Sequence, residues 1–136
     1  MAAKAMMDCP RQTGMEVILL AEDEDMVSDV TKRILERSGY KVLTAANGKE
    51  ALNLYEKERD RISLVIIDLV MPEMGGQQCL EKLRSIDSDL KILVTSGYPV
   101  DGPTKEAIEW AAAGFLGKPY NMKEILRAVR DILVVE

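Results

Sequence analysis

A chain of 136 residues, 47% hydrophobic and 30% charged, is the size of one ordinary globular domain with its own core. Its net charge of -5, with Lys and Arg scattered in no basic stripe, argues against a nucleic-acid surface, and the absence of histidine removes imidazole catalysis, the usual serine and cysteine triads and His-ligated metals. No apolar stretch approaches the roughly 18 to 20 residues of a membrane span, and residues 1–14 lack the apolar core of a signal peptide, so a cytoplasmic protein without membrane contact is expected.

In chain order, residues 1–14 show no periodicity and read as a flexible leader or linker, with one folded domain over 15–136. Val17–Ala21 is a continuous apolar run of strand length. Met26, Val27, Val30, Ile34 and Leu35 then recur at helical spacing until Gly39 ends the helix. Residues 41–44 predict a second strand, and Asn47 an N-cap for a helix carrying Ala51, Leu52 and Tyr55. Residues 62–67 form the most apolar run, as expected of a central strand covered on both faces. A loop with Pro72, Gly75 and Gly76 precedes a helix marked by Leu80, Leu83 and Ile86. Residues 91–95 predict a fourth strand, and Pro103 opens a fourth helix that runs to about Ala112. Residues 115–117 are a short fifth strand. Asn121 and Glu124 form a capping-box-like pair before an amphipathic last helix with Met122, Ile125, Leu126, Val129, Ile132 and Leu133.

Strands alternating with helices imply a parallel sheet with helices on both faces, because the crossovers are right-handed. The expected fold is α/β, a doubly wound (βα)5 three-layer sandwich with a five-stranded parallel sheet. Polar residues follow four of the apolar runs: Glu22 and Asp23, Asp68, Ser96 and Lys118. In such a sheet they lie along one edge, where open α/β folds place their ligands. Any one of them has a plain alternative. Asp23 or Asp25 alone reads more readily as a helix N-cap, and Ser96 or Lys118 alone as a loop residue. Asp68 is harder to explain away, since it ends the most buried strand, where an unpaired charge is costly. Cys9 and Cys79, lacking close spacing, define neither a disulfide framework nor a zinc site and read as reduced thiols.

With these segments in place, the chain resembles a response-regulator receiver domain of two-component phosphorelay signalling. The likeness covers about residues 15–134 and rests on Leu19-Leu20-Ala21-Glu22-Asp23-Glu24, Asp68-Leu69-Val70-Met71-Pro72, Thr95-Ser96-Gly97 and Lys118-Pro119, each at a strand end in the family's order. Ser96-Gly97-Tyr98 and the segment from Phe115 to Tyr120 look most like receivers of hybrid sensor histidine kinases. The family's strand order is the flavodoxin-like 2-1-3-4-5.

The resemblance implies that Asp68 takes a phosphoryl group from a histidine kinase or a histidine phosphotransfer protein, forming an acyl phosphate. An anionic carboxylate meeting an anionic phosphoryl group needs a hard divalent cation. Glu22, Asp23, Asp68 and the Val70 carbonyl are the implied Mg²⁺ ligands, with Mn²⁺ expected to substitute. Lys118 and the Ser96 hydroxyl would hold phosphoryl oxygens, and the Lys118-Pro119 bond would be cis. Ser96 and Phe115 would form the switch, with the fourth helix, fifth strand and fifth helix as output surface. Trp110, on the fourth helix, reads as packing more readily than as a partner anchor. Val70 and Tyr98 would flank the path of hydrolytic water and slow dephosphorylation. The domain is then a signalling phosphoacceptor rather than an enzyme, read out by a partner, by onward transfer, or by an output or kinase domain of a longer parent.

Other classes fit less well. A haloacid-dehalogenase-type phosphatase wants a second acid where Val70 stands. A flavodoxin-like cofactor site needs a phosphate-cradling loop where Glu22-Asp23-Glu24-Asp25 would repel one. The strongest rival is a degenerate pseudo-receiver serving as a phosphorylation-independent interaction module.

Overall fold

The computed structural model of the chain describes residues 16–71, 74–97 and 112–134. Five strands, β1 (Val17–Ala21), β2 (Lys41–Ala45), β3 (Ile62–Asp68), β4 (Ile92–Ser96) and β5 (Gly114–Gly117), form one sheet in the order β2-β1-β3-β4-β5. Every pairing is parallel. The reversal of strand order at β1 and β3 places a topological switch point beside the carboxyl ends of those strands. Four helices are described: α1 (Asp25–Arg37), α2 (Gly48–Glu58), α3 (Gly76–Ile86) and α4 (Met122–Val134). The expected leader with Cys9, the helix from Pro103 with Trp110, and Pro72 and Tyr98 lie outside the described residues.

Alternation along the strands divides the core in two. Ile18, Leu20, Leu64, Ile66 and Leu93 pack with Leu35 of α1 and with Ile125 and Val129 of α4. Leu19, Val65, Ile67, Ile92 and Val94 face the other way, onto Tyr55 of α2 and Leu80 and Leu83 of α3. β3 contributes to both layers, which is why its sequence is nearly all apolar and shows no polar alternation.

Local chemistry sets the element ends. After α1, Gly39 adopts φ 101, and the Gly39 and Tyr40 N–H groups donate to the carbonyls of Glu36 and Leu35, a Schellman closure that a side chain at Gly39 would strain. Asn47 caps α2 through the Glu50 N–H at 2.8 Å. The Asn121–Glu124 capping box is present in both directions, at 2.9 and 2.8 Å. Four strands differ slightly from expectation, β2 and β3 by running one residue further, to Ala45 and Asp68. β4 starts at Ile92 and reaches Ser96, and β5 starts at Gly114, because Leu93 through Ser96 pair with Gly114 through Gly117. The N-cap of α1 is Glu24, with no side-chain capping bond, so neither Asp23 nor Asp25 is that cap.

Candidate functional site

Backbone ladders run past the strand ends and fix the polar residues there. The Glu22 N–H donates to the Ala45 carbonyl at 3.0 Å, the Leu69 N–H to Thr95 at 2.9 Å, and the Lys118 N–H to Ser96 at 2.7 Å. Glu22 and Asp68 are consequently held in place and both are 4% exposed. Gly76 lies hard against the backbone of Asp68 and Leu69: a Cβ there would collide with the Asp68 carbonyl oxygen and stand 2.5 Å from the Leu69 Cα. Only glycine lets α3 begin directly against the backbone that carries Asp68.

The Lys118 ammonium is the hub of the charges. Its Nζ lies 2.8 Å from Glu22 Oε1, 3.0 Å from Asp68 Oδ2 and 3.6 Å from Glu24 Oε1. Burial disfavours its charged form, but the bonds to Glu22 and Asp68 outweigh that, and the lysine is held protonated well above its ordinary range. For Glu22 the balance falls against the charged form. Burial raises its pKa, and the bonds from Lys118 and from the Glu24 N–H, 3.1 Å from Oε2, recover only part of the cost. The remaining Asp68 oxygen, Oδ1, accepts from the Val70 N–H at 3.3 Å.

The carboxylates also fit a cation. One oxygen from each of Glu22, Asp23 and Asp68 falls within 4.8 Å of the others, an all-oxygen set of the hard type that suits Mg²⁺. One lysine shared among Glu22, Glu24 and Asp68 leaves net negative charge in a place of low dielectric, so a further cation is electrostatically favoured there. A cleft of about 450 Å³ opens above them, lined by Asp23, Glu24, Asp68, Val70, Gly97 and Lys118.

The structure thus gathers Glu22, Asp23, Asp68, Val70 and Lys118 in one place. Ser96 is one strand over, at the end of β4, and 3% exposed. Phe115 pairs with Val94 on β5 and stands 47% exposed. The Lys118-Pro119 bond is cis, as expected.

Two contacts escaped the sequence reading. Glu24 joins the lysine cluster, although it follows the paired acids like any surface residue at a helix start. Thr31 of α1 and Tyr120, 89 residues apart in sequence, share a hydrogen bond of 2.9 Å. Beside that bond runs a groove of about 540 Å³, walled by Met26, Val27, Val30 and Ile34 and reaching Lys118. Met26 and Val30 belong to the apolar period that marks α1 in sequence, yet they face this groove and stand exposed rather than buried in the core.

An open parallel sheet with acids after its first and third strands and a lysine after its fifth defines a class of protein. The chain belongs to the response regulator receiver domain family, whose profile residues 18–130 match. The family is a signalling one. The chain is 38% identical over 121 residues to the sensor kinase CckA of Brucella abortus (strain 2308), spanning 89% of this chain and 13% of that kinase. It is 30% identical over 118 residues to sporulation initiation phosphotransferase F of Bacillus subtilis (strain 168), covering 87% of this chain and 94% of that protein. The response regulator protein TrrA of Thermotoga maritima, solved in complex with Mg(2+)-BeF, superposes with a TM-score of 0.79 at 30% identity over 88% of this chain and 100% of that one. Among the described residues, no helix is long and apolar enough to cross a membrane.

Proposed function

We propose that this domain accepts a phosphoryl group on Asp68 from a phosphohistidine of a kinase or phosphotransfer protein, with Mg²⁺ or Mn²⁺ held by Glu22, Asp23, Asp68 and the Val70 carbonyl. The observation that carries this reading is the shared lysine. Lys118 bridges Glu22 and Asp68 at buried strand ends, beside an oxygen cluster able to hold a cation.

An Asp68 oxygen attacks phosphorus. The P–O bond forms as the P–N bond to the donor imidazole breaks, and the leaving nitrogen keeps its electron pair and takes up a proton. When bound, the divalent ion supplies charge neutralisation among groups that would otherwise repel. Lys118 is already at Asp68 and pairs with a phosphoryl oxygen once the acyl phosphate forms. Ser96, at the end of β4, moves its hydroxyl toward the phosphoryl group as charge redistributes in transfer. That movement vacates space that Phe115, exposed in this state, can enter, giving a population shift between two surfaces. The groove along α1 supplies a docking face of the right character: Met26 is 81% and Val30 56% exposed, and contiguous apolar surface beside a reactive group suits a partner's helix. The setting is cytoplasmic, and the readout is a partner, onward transfer, or another domain of a longer parent.

The test is incubation with acetyl phosphate and Mg²⁺ followed by intact-mass measurement. One phosphoryl group is expected on the wild type, and none on Asp68→Asn or in excess chelator. Equal labelling of Asp68→Asn overturns the assignment, and an unlabelled wild type favours an interaction module.

A further inference from the structure

We propose that Tyr120 is a positioning residue for Lys118, acting through its hydrogen bond to Thr31. The inference rests on the reading of Asp68 as phosphoacceptor, and it deepens that reading by naming what sets the ammonium's place.

The Lys118 segment is held at two points. Upstream, its own N–H is tied to Ser96 at 2.7 Å. Downstream, after a single proline, the Tyr120 hydroxyl meets Thr31 Oγ1 at 2.9 Å. The second tie fixes the segment to α1, and α1 begins directly after Glu22, Asp23 and Glu24. The Thr31–Tyr120 bond therefore helps set the separation between the ammonium and two of its three carboxylate partners.

Packing alone does not ask for these hydroxyls. Thr31 is 1% exposed, and Tyr120 packs, with Ile34, Leu116 and Leu126, against the apolar layer that includes Leu20, Leu35 and Ile125. Valine and phenylalanine would fill the same space and remove two polar atoms that must otherwise find each other. A partly buried hydroxyl pair beside an apolar layer adds direction, because the two groups meet in one relative placement of α1 and the Lys118 segment. The pair also forms part of the groove wall beside Lys118, so whatever seats there touches the strut directly.

The experiment uses the full chain with Thr31→Val, Tyr120→Phe, the double variant and Thr31→Ser. Three quantities are measured: the rate of Asp68 phosphorylation across acetyl phosphate concentrations in Mg²⁺, the NMR resonance of the Lys118 Nζ without metal, and the urea midpoint. Each of the first two variants is expected to lower the maximal rate roughly threefold or more, since small misplacements of a reacting group cost at least that much. Both should shift the Lys118 resonance. The double variant should be no slower than either single one, and Thr31→Ser, which keeps the hydroxyl, should restore rate and resonance. Wild-type rate and resonance in Thr31→Val and Tyr120→Phe, with only the urea midpoint changed, would show a purely structural bond and overturn the proposal. If the wild type accepts no phosphoryl group, the phosphoacceptor reading fails, while the resonance still decides for or against the strut.

Discussion

Lys118 is closer to Glu22, at 2.8 Å, than to the candidate phosphoacceptor Asp68, at 3.0 Å. A buried glutamate carboxylate thus lies on the lysine, and Asp68 shares its counter-ion. Part of the site's electrostatics follows from this sharing.

Glu22→Gln is expected to stabilise the metal-free protein at neutral pH. Burial, opposed by the Lys118 bond, leaves the Glu22 pKa above its ordinary 4.5. A carboxyl raised on folding contributes stability that is present below its unfolded value and lost as pH rises through the folded one. The variant's advantage should therefore be clear at pH 7 to 8 and vanish near pH 4, and added Mg²⁺ should stabilise it less than the wild type. Thermal unfolding across pH checks this; a variant less stable at every pH contradicts it.

Gly76→Ala should destabilise the domain by about 1 to 3 kcal/mol, the usual cost of overpacking, although alanine is the better helix former. The added Cβ meets backbone of Asp68 and Leu69, which cannot swing aside as a side chain can. Urea unfolding should show a lower midpoint. An unchanged or higher midpoint would mean that α3 does not bear on β3 so closely.

Much of this was legible in sequence because burial leaves a pattern. Val17–Ala21 is apolar throughout and the run ending at Asp68 is apolar but for Ser63 near its start, so the polar residue that closes each marks where a strand meets the site edge. Lys118 was harder to place, since β5 is short and half exposed, and its assignment leaned on family likeness. The partners of Lys118 beyond Asp68 were not legible. Glu24 and the Thr31–Tyr120 bond depend on how α1 lies against the segment after β5, which no local period encodes. Ser96 was placed correctly at its strand end.

Tyr55→Phe removes the hydroxyl that donates to Asp87 Oδ2 at 2.9 Å and should cost about 1 kcal/mol near neutral pH. The Tyr55 pKa is pushed up to about 12, chiefly by burial and then by Asp87. Its contribution is thus present below pH 10 and lost as pH rises from there toward 12. Asp87 is lowered, by the Asp89 N–H and then by Tyr55, so its share fades as pH falls below its ordinary 3.8. The gap between variant and wild type should be widest between these limits. A gap independent of pH up to 12 refutes the assignment.

Val70→Asn should shorten the life of the phosphorylated form several-fold. Val70 stands 56% exposed on the cleft wall next to Asp68, where it offers no group to orient water. An amide there can hold a water in line for attack. Phosphoryl loss after donor removal gives the comparison, and equal lifetimes contradict the idea. Tyr98, the other residue expected on that path, lies outside the described residues.

The most direct test of the account is chemical mapping of the phosphoryl group. Borohydride reduces an aspartyl phosphate to homoserine, which peptide mass spectrometry locates by residue. After acetyl phosphate and Mg²⁺, homoserine is expected at position 68, and it should be absent when metal is chelated. Homoserine at Asp23 or another acid instead, or none anywhere in a folded, metal-loaded protein, would contradict the assignment of Asp68 as the phosphoacceptor.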